Sequence, residues 1–263
     1  MDNKQKISLF SNELNDIQDK DLREFAVNLI LSAPEYFFTV PASSSGKYHP
    51  YFAREVGGLV KHTRCVVFYS ECNAESFDFS THDKDLLIIA ALCHDIKKQG
   101  DNNYGKHTVW EHPELASNYI LEMQEKYPKL INKEDAKKIA NAIICHMGKW
   151  ANKPEFTKGK KSYPMPITIF EYALQSADYI ASRKELTGFE FRETNDTLLV
   201  EEQNVKPEKN IGDEIFTFGK HSGKTIKEVV ENHKDYIDWM LNKANFNNSD
   251  MLEKIKEYMK NKK

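Results

Sequence analysis

The chain is short of the features that mark several common classes of protein. In its 263 residues no apolar run approaches the roughly 20 residues that a membrane-crossing helix needs, so no membrane partner is expected. The opening MDNKQK lacks the charged-then-apolar order of a signal peptide, which makes a soluble, cytoplasmic protein the expectation. Cysteine is scarce. Cys65, Cys72, Cys93 and Cys145 form no CxxC pair and three of them lie in apolar helical segments, which argues against a zinc ribbon or a disulfide framework and predicts buried thiols. Charge of one sign is missing too. Lys and Arg number 37 against 40 Asp and Glu, a formal net charge of -3, so no global basic field marks a nucleic-acid binder and any polyanion must be held by a local patch. Strand-like alternation is short and rare, and there is no internal repeat.

What the chain does have is apolar spacing at i, i+3, i+4 and i+7, which predicts a mainly α fold with helices over about 20–32, 57–73, 83–96, 112–127, 134–147 and 167–185. The stretches PASSSGKYHP (41–50) and ANKPEFTKGKKSYPMP (151–166) read as loops because Pro, Gly and Ser interrupt any periodic face. A charge-rich segment with hairpin character, FEFRETNDTLLVEEQNVKPEKN, ends the larger domain and places its boundary near residue 205. The remaining 206–263 reads as a small α/β domain, with a strand at EIFTFG followed by helices around 224–231, 233–243 and 249–261.

The chemistry concentrates at DLLIIAALCHDIKKQG, where eight consecutive apolar residues run into His94 and Asp95. An imidazole and a carboxylate at the end of a buried helix can both reach a cation, since neutral histidine offers a lone pair and aspartate two oxygens that can bridge metals. His62 shares a helix face with Cys65, Val66 and Tyr69, His146 aligns with Ile139, Ala142 and Ile143, and Asp178 aligns with Leu174 and Ala181, so all three point inward. Any one of them alone would be a core polar residue satisfied by hydrogen bonds. A shared metal site explains three inward histidines and two aspartates together.

His62, His94-Asp95 and Asp178, in that order and on successive helices, resemble the H...HD...D signature of the HD-domain phosphohydrolase superfamily, over roughly residues 30 to 190. HPYFAREVGGLVKHT followed by LLIIAALCHDIKK is similar to the HD domain of bacterial 3′ to 5′ exoribonucleases, although Lys97 stands where that pattern has glycine. The resemblance implies an HD-type helical bundle and a metal-dependent hydrolase. It extends the ligand set to the six-residue form, His62, His94, Asp95, His112, His146 and Asp178, with His107 a rival to His112. One or two divalent transition-metal ions, Mn, Fe, Zn or Ni, suit such donors. Asp95 is then expected to bridge the metals and Lys98 to contact the scissile phosphate. Arg183 is expected to grip a second phosphate or a carboxylate, and His49 to donate to the leaving group.

FGKHSGKTIKEV is not a Walker A loop, because three residues and not four separate Gly219 from Gly223. FGKHSGKTIKEVVENHKDYIDWML resembles instead the small domain that follows the nuclease domain in exodeoxyribonuclease X type proteins. Lys220, His221 and Lys224 with Phe218, Tyr236 and Trp239 would give a surface for a single strand, though Tyr236 and Trp239 are expected mainly as core of so small a domain. The resulting expectation is hydrolysis of phosphodiester bonds in nucleic acid or oligonucleotides, in the manner of a 3′ to 5′ exonuclease. Two alternatives stay open, a phosphatase of (deoxy)nucleoside monophosphates and a non-catalytic nucleotide-sensing module.

Overall fold

The computed structural model describes residues 1–43, 49–101, 107–193, 216, 220–242 and 249–260. The chain divides into two compact units, 1–199 and 200–263. The boundary expected near residue 205 falls outside the described residues.

The first unit is helical. It holds α1 (Asn3–Ser8), α2 (Ser11–Asp16), α3 (Lys20–Leu31), α4 (Gly58–Ser76), α5 (Thr81–Cys93), α6 (His112–Lys126), α7 (Lys133–Ile144), α8 (Lys149–Asn152), α9 (Pro154–Thr157) and α10 (Ile169–Ala181), with single 3-10 turns at Glu35–Phe38 and Tyr51–Ala53. The centre is α5, on which α3, α4, α7 and α10 all pack. Its apolar run leaves no polar face, so every residue from Leu86 to Cys93 is buried, which is the environment a helix hydrophobic all round requires. The same helix buries Asp85, and this carboxylate is satisfied by accepting the backbone N–H groups of Gln18 (3.0 Å) and Asp19 (2.8 Å) at the entry to α3.

Around α5 the partners are amphipathic. In α7 the buried face is Ala136, Ile139, Ala140, Ala142 and Ile143, and in α10 it is Phe170, Ala173, Leu174, Ala177 and Ala181. The alanines let the helix backbones approach closely while Ile, Leu and Phe fill the gaps. Each start is signalled in the sequence: the Asn132 side chain accepts the Asp135 N–H at 2.9 Å, and Thr168 and Glu171 form a reciprocal capping box at the head of α10. No helix among the described residues is long and apolar enough to cross a membrane.

Two expectations change and one falls mostly outside the described residues. The stretch 151–166 is not wholly loop, because Asn152 ends α8 and Pro154 opens α9, where its missing N–H costs nothing at a first helical position. The hairpin character of 189–210 falls mostly outside the described residues. Its described start is non-helical, and Phe189 and Phe191 pack on Phe68 and Phe52 with ring centroids 5.3 and 5.1 Å apart. The second unit is helical, not α/β, in its described residues: α11 (Ile226–Asn232), α12 (Lys234–Asn242) and α13 (Ser249–Lys260) enclose Phe216, and no strand is present among them. Of EIFTFG only Phe216 is described. Its N–H donates to the Lys224 carbonyl at 2.8 Å and its own carbonyl accepts from the Gly223 N–H at 2.7 Å.

Candidate metal centre

The residues of the HD...D pattern reach one place because each sits at a helix end or on an inward face. His62 lies one turn into α4, whose first residue is Gly58. A Cβ at Gly58 would stand 2.3 Å from the Ala53 carbonyl oxygen, so the start of α4 presses directly on the 51–53 turn that follows His49. His94 caps the C-terminus of α5, and Ile96 and Lys98 donate back to the carbonyls of Cys93 (3.1 Å) and Asp95 (3.0 Å) to continue the chain as a tight turn. His112 is the first residue of α6, with Pro113 in the first turn as expected. His146 lies just beyond α7, not within it, in the turn before Gly148. Asp178 stands on α10.

Three of the four histidines are aimed by the backbone. Nδ1 of His94 lies 2.7 Å from the Ala91 carbonyl, Nδ1 of His112 is 2.8 Å from that of Val109, and Nδ1 of His146 is 2.7 Å from that of Ile143. A carbonyl can only accept, so each Nδ1 carries the proton and each Nε2 presents a bare lone pair to the interior.

The Nε2 atoms of these three rings and of His62 converge with the carboxylates in two groups, His62–His94–Asp178 and Asp95–His112–His146. Asp178 Oδ1 is 3.1 Å from His62 Nε2 and 3.7 Å from His94 Nε2. Asp95 faces both groups, one oxygen to each. Its Oδ2 is 3.8 Å from His62 Nε2 and 3.4 Å from His94 Nε2, while its Oδ1 is 3.3 Å from His112 Nε2 and 3.8 Å from His146 Nε2. Lys98 also contacts Oδ2 through its ammonium group.

The cluster is dry, with His62, His94, Asp95, His112 and His146 each no more than 3% exposed. Burial pushes the His112 imidazolium down to about 3 and lowers His62 and His146 as well, so these rings stay neutral with lone pairs available. Burial also opposes charge on His94, but Asp95 and Asp178 outweigh it and raise that group. For the two carboxylates burial works upward and is overcome, at Asp95 by Lys98 and His94 and at Asp178 by His62 and His94, so both are held well below the usual range. Asp95 Oδ1 is buried with no hydrogen-bond partner. Four inward imidazole nitrogens, two ionised carboxylates and an orphaned buried oxygen would be costly as a purely polar core and fit a divalent cation.

A cavity of about 410 Å³ opens on this cluster through Asp95, His112, His146 and Asp178, and His49, Lys98 and Arg183 line it too. His49 stands edge-on to His62 with ring centroids 5.2 Å apart. Burial, then His62 and Lys98, push it down to about 3, so it does not stand ready as an acid at neutral pH. His107 is exposed and outside the cluster. Sequence reasoning missed Met147, Trp150, Gln175 and Tyr179 in the cavity wall. Gln175 and Tyr179 were recoverable as neighbours of Asp178 on one helix face, whereas Trp150 arrives through a turn that no periodicity marks.

Lys220 and Lys224 line a separate pocket within the second unit. There Lys224 Nζ donates to His233 Nε2 at 2.9 Å, His233 stacks on His221 at 4.2 Å, and Tyr236 stacks on Trp239 at 5.7 Å. Trp239 is 44% exposed and therefore not the core residue it was expected to be.

Comparison with known families agrees with this geometry. The HD domain model matches residues 59–183, which include the whole six-residue cluster, and a model for the exodeoxyribonuclease X-like C-terminal region matches residues 216–245. No curated protein and no solved structure matches the chain. The HD domain match and the two donor groups within it support a metal-dependent hydrolase. The second match lies later in the sequence and is similar to the C-terminal segment of a nuclease.

Proposed function

We propose that this protein is a metal-dependent phosphodiesterase acting on nucleic acid or oligonucleotides, in the manner of a 3′ to 5′ exonuclease. The observation that carries the reading is Asp95, whose two oxygens face separate donor groups as a carboxylate bridging two cations would. His62, His94 and Asp178 would hold one divalent ion and His112 and His146 the other, with Mn, Fe, Zn or Ni suited to this mixture of imidazole and carboxylate. Bound there, such ions neutralise phosphate oxygens and lower the pKa of water. The chain's own part is to hold those donors neutral or anionic in a dry site, and to place the Lys98 ammonium at the cavity wall, where it meets a phosphate as a point charge. The exodeoxyribonuclease X-like segment and its lysine and aromatic pocket favour a polymeric substrate.

A second reading, a nucleotide phosphatase, is favoured by the size of the cavity, since about 410 Å³ accommodates a single nucleotide. One experiment separates them. Purified protein is assayed with Mn²⁺ or EDTA on bis(p-nitrophenyl) phosphate, on a nucleoside monophosphate and on a 5′-labelled single strand. A manganese-dependent ladder shortened from the 3′ end is the expected result. Phosphate released from the monophosphate alone moves the assignment to the phosphatase, and no turnover on any substrate with metal bound moves it to a sensing module.

A further inference from the structure

Arg183 is a cation of the cavity that no acid answers among the described residues. It lines the same space as Asp95 and Asp178, yet among the described residues no carboxylate pairs with it, whereas Lys98 is held by Asp95. Its guanidinium is fixed in place. Nε donates to the Tyr179 carbonyl at 3.1 Å, Nη2 donates to Ser182 Oγ at 3.0 Å, and the central carbon stands 4.4 Å from the centroid of the Tyr179 ring. An arginine that only closed the end of α10 would account for the first bond. A guanidinium has about five N–H donors, and those beyond the two in use have no partner among the described residues. A side chain held this way has already given up much of the freedom that gripping an anion would cost, and its planar fork matches two oxygens of one phosphate.

Position separates this anion from the one at the metal cluster. Arg183 lies past the end of α10 with its guanidinium anchored on Tyr179 and Ser182, outside ion-pair distance of both Asp178 and Asp95, so a group it holds is distinct from one bound among the cluster's donors. The cavity also presents Met147 and a Trp150 that is 38% exposed, an apolar wall that a nucleobase covers and a small dicarboxylate does not. We infer that Arg183, clamped on Tyr179 and Ser182, receives a second phosphate of the substrate, one nucleotide removed from the phosphate that is cleaved. This rests on the phosphohydrolase reading and narrows its substrates to nucleotides bearing separate phosphates, against those with a lone phosphoester.

The test reads binding and turnover separately. Metal-loaded protein is titrated calorimetrically with two thymidine dinucleotides whose scissile P–O3′ bond is replaced by an uncleavable P–CH2 linkage, one with a 5′-phosphate and one without. Wild type should bind the phosphorylated form about tenfold or more tightly than the other, the effect of one charge-assisted hydrogen-bonded pair. Arg183→Gln should bring that ratio to about one, and Arg183→Lys, which keeps the charge but loses the fork, should retain part of it. Circular dichroism melts check that the variants fold, and the Lys variant carries the test if the Gln variant does not. Equal affinities in wild type, or a ratio that survives the loss of the guanidinium, would overturn the inference. Hydrolysis of the natural dinucleotides is measured alongside. A ratio retained without any cleavage sinks the phosphohydrolase reading alone, and cleavage of both dinucleotides without a ratio sinks this inference alone.

Discussion

Metal-free protein should lose stability as the pH falls below about 6.5, and the loss can be sized from the buried histidines. His49 and His112 are each pushed down to about 3 in the folded protein, chiefly by burial, against an ordinary histidine value of about 6.5 in the unfolded chain. Between those two values the unfolded chain binds protons that the native state refuses, so stability rises with pH through the window and falls as the solution is acidified. Acidification to about pH 5 should cost about 2 kcal/mol for each of the two, a large share of the roughly 5–15 kcal/mol of a typical domain. His62 and His146 are lowered as well and add to the loss. His94 is raised and works in the opposite sense, contributing stability below its unfolded value that fades as pH rises through its folded one. Asp95 and Asp178 are lowered, so what they contribute is lost only below the ordinary carboxylate range, outside this window. The assay is urea unfolding of EDTA-treated protein at several pH values between about 7.5 and 5, where the midpoint should fall without a change in slope. His112→Gln should flatten the trend by nearly one proton. A midpoint that stays constant or rises on acidification would refute the reasoning, because it would mean that these rings are charged or solvated in the native state.

Asp95→Asn should lower metal content measured by plasma emission and reduce hydrolysis to background, while the far-ultraviolet spectrum stays helical, because α5 is held by its apolar surface and not by its last residues. Gly58→Ala should destabilise the protein by about 1–3 kcal/mol in a thermal melt, since the added Cβ would stand 2.3 Å from the Ala53 carbonyl oxygen and backbone must move. A melt within experimental error of wild type would show that the 51–53 turn is not pressed against α4. Removing residues 206–263 should raise KM for a single-stranded oligonucleotide and flatten its salt dependence while sparing a mononucleotide ester, and equal losses on both would point to a structural role for the second unit.

The helices that carry the cluster were legible because each buries a long stripe. α5 announces itself by eight apolar residues, and α7 and α10 by regular inward faces behind capping residues. α1 and α2 were not, since six residues apiece give fewer than two turns and no period to count. His146 was placed inward for a reason that only partly applies: it continues the spacing of α7 but lies past its end, and the turn toward Gly148 brings it in. The strand expected at EIFTFG lies, apart from Phe216, outside the described residues. Apolar alternation marks a segment able to pair, and pairing depends on a partner that the local sequence does not reveal.

Sequence periodicity tells which face of a helix a histidine occupies and leaves open which nitrogen it presents. That choice is made here by the backbone at the ends of helices. The last turn of any helix leaves carbonyls without their usual partners. Ala91 in the last turn of α5 and Ile143 in the last turn of α7 turn theirs to the Nδ1 of His94 and His146, and Val109, just ahead of α6, does the same for His112. The i−3 spacing is the same in all three, so a ligand placed at or just beyond a helix terminus gets its tautomer fixed with no extra residue to supply the acceptor. His62 is the contrast. It lies within α4, where the carbonyls are already used, and its buried Nδ1 has no partner. Its orientation comes from Asp178 at 3.1 Å on the other side of the ring. Losing that carboxylate should therefore disturb His62 more than the three histidines that the backbone holds, and in Asp178→Asn the two donor groups should part company in metal affinity, with His62–His94 weakened first.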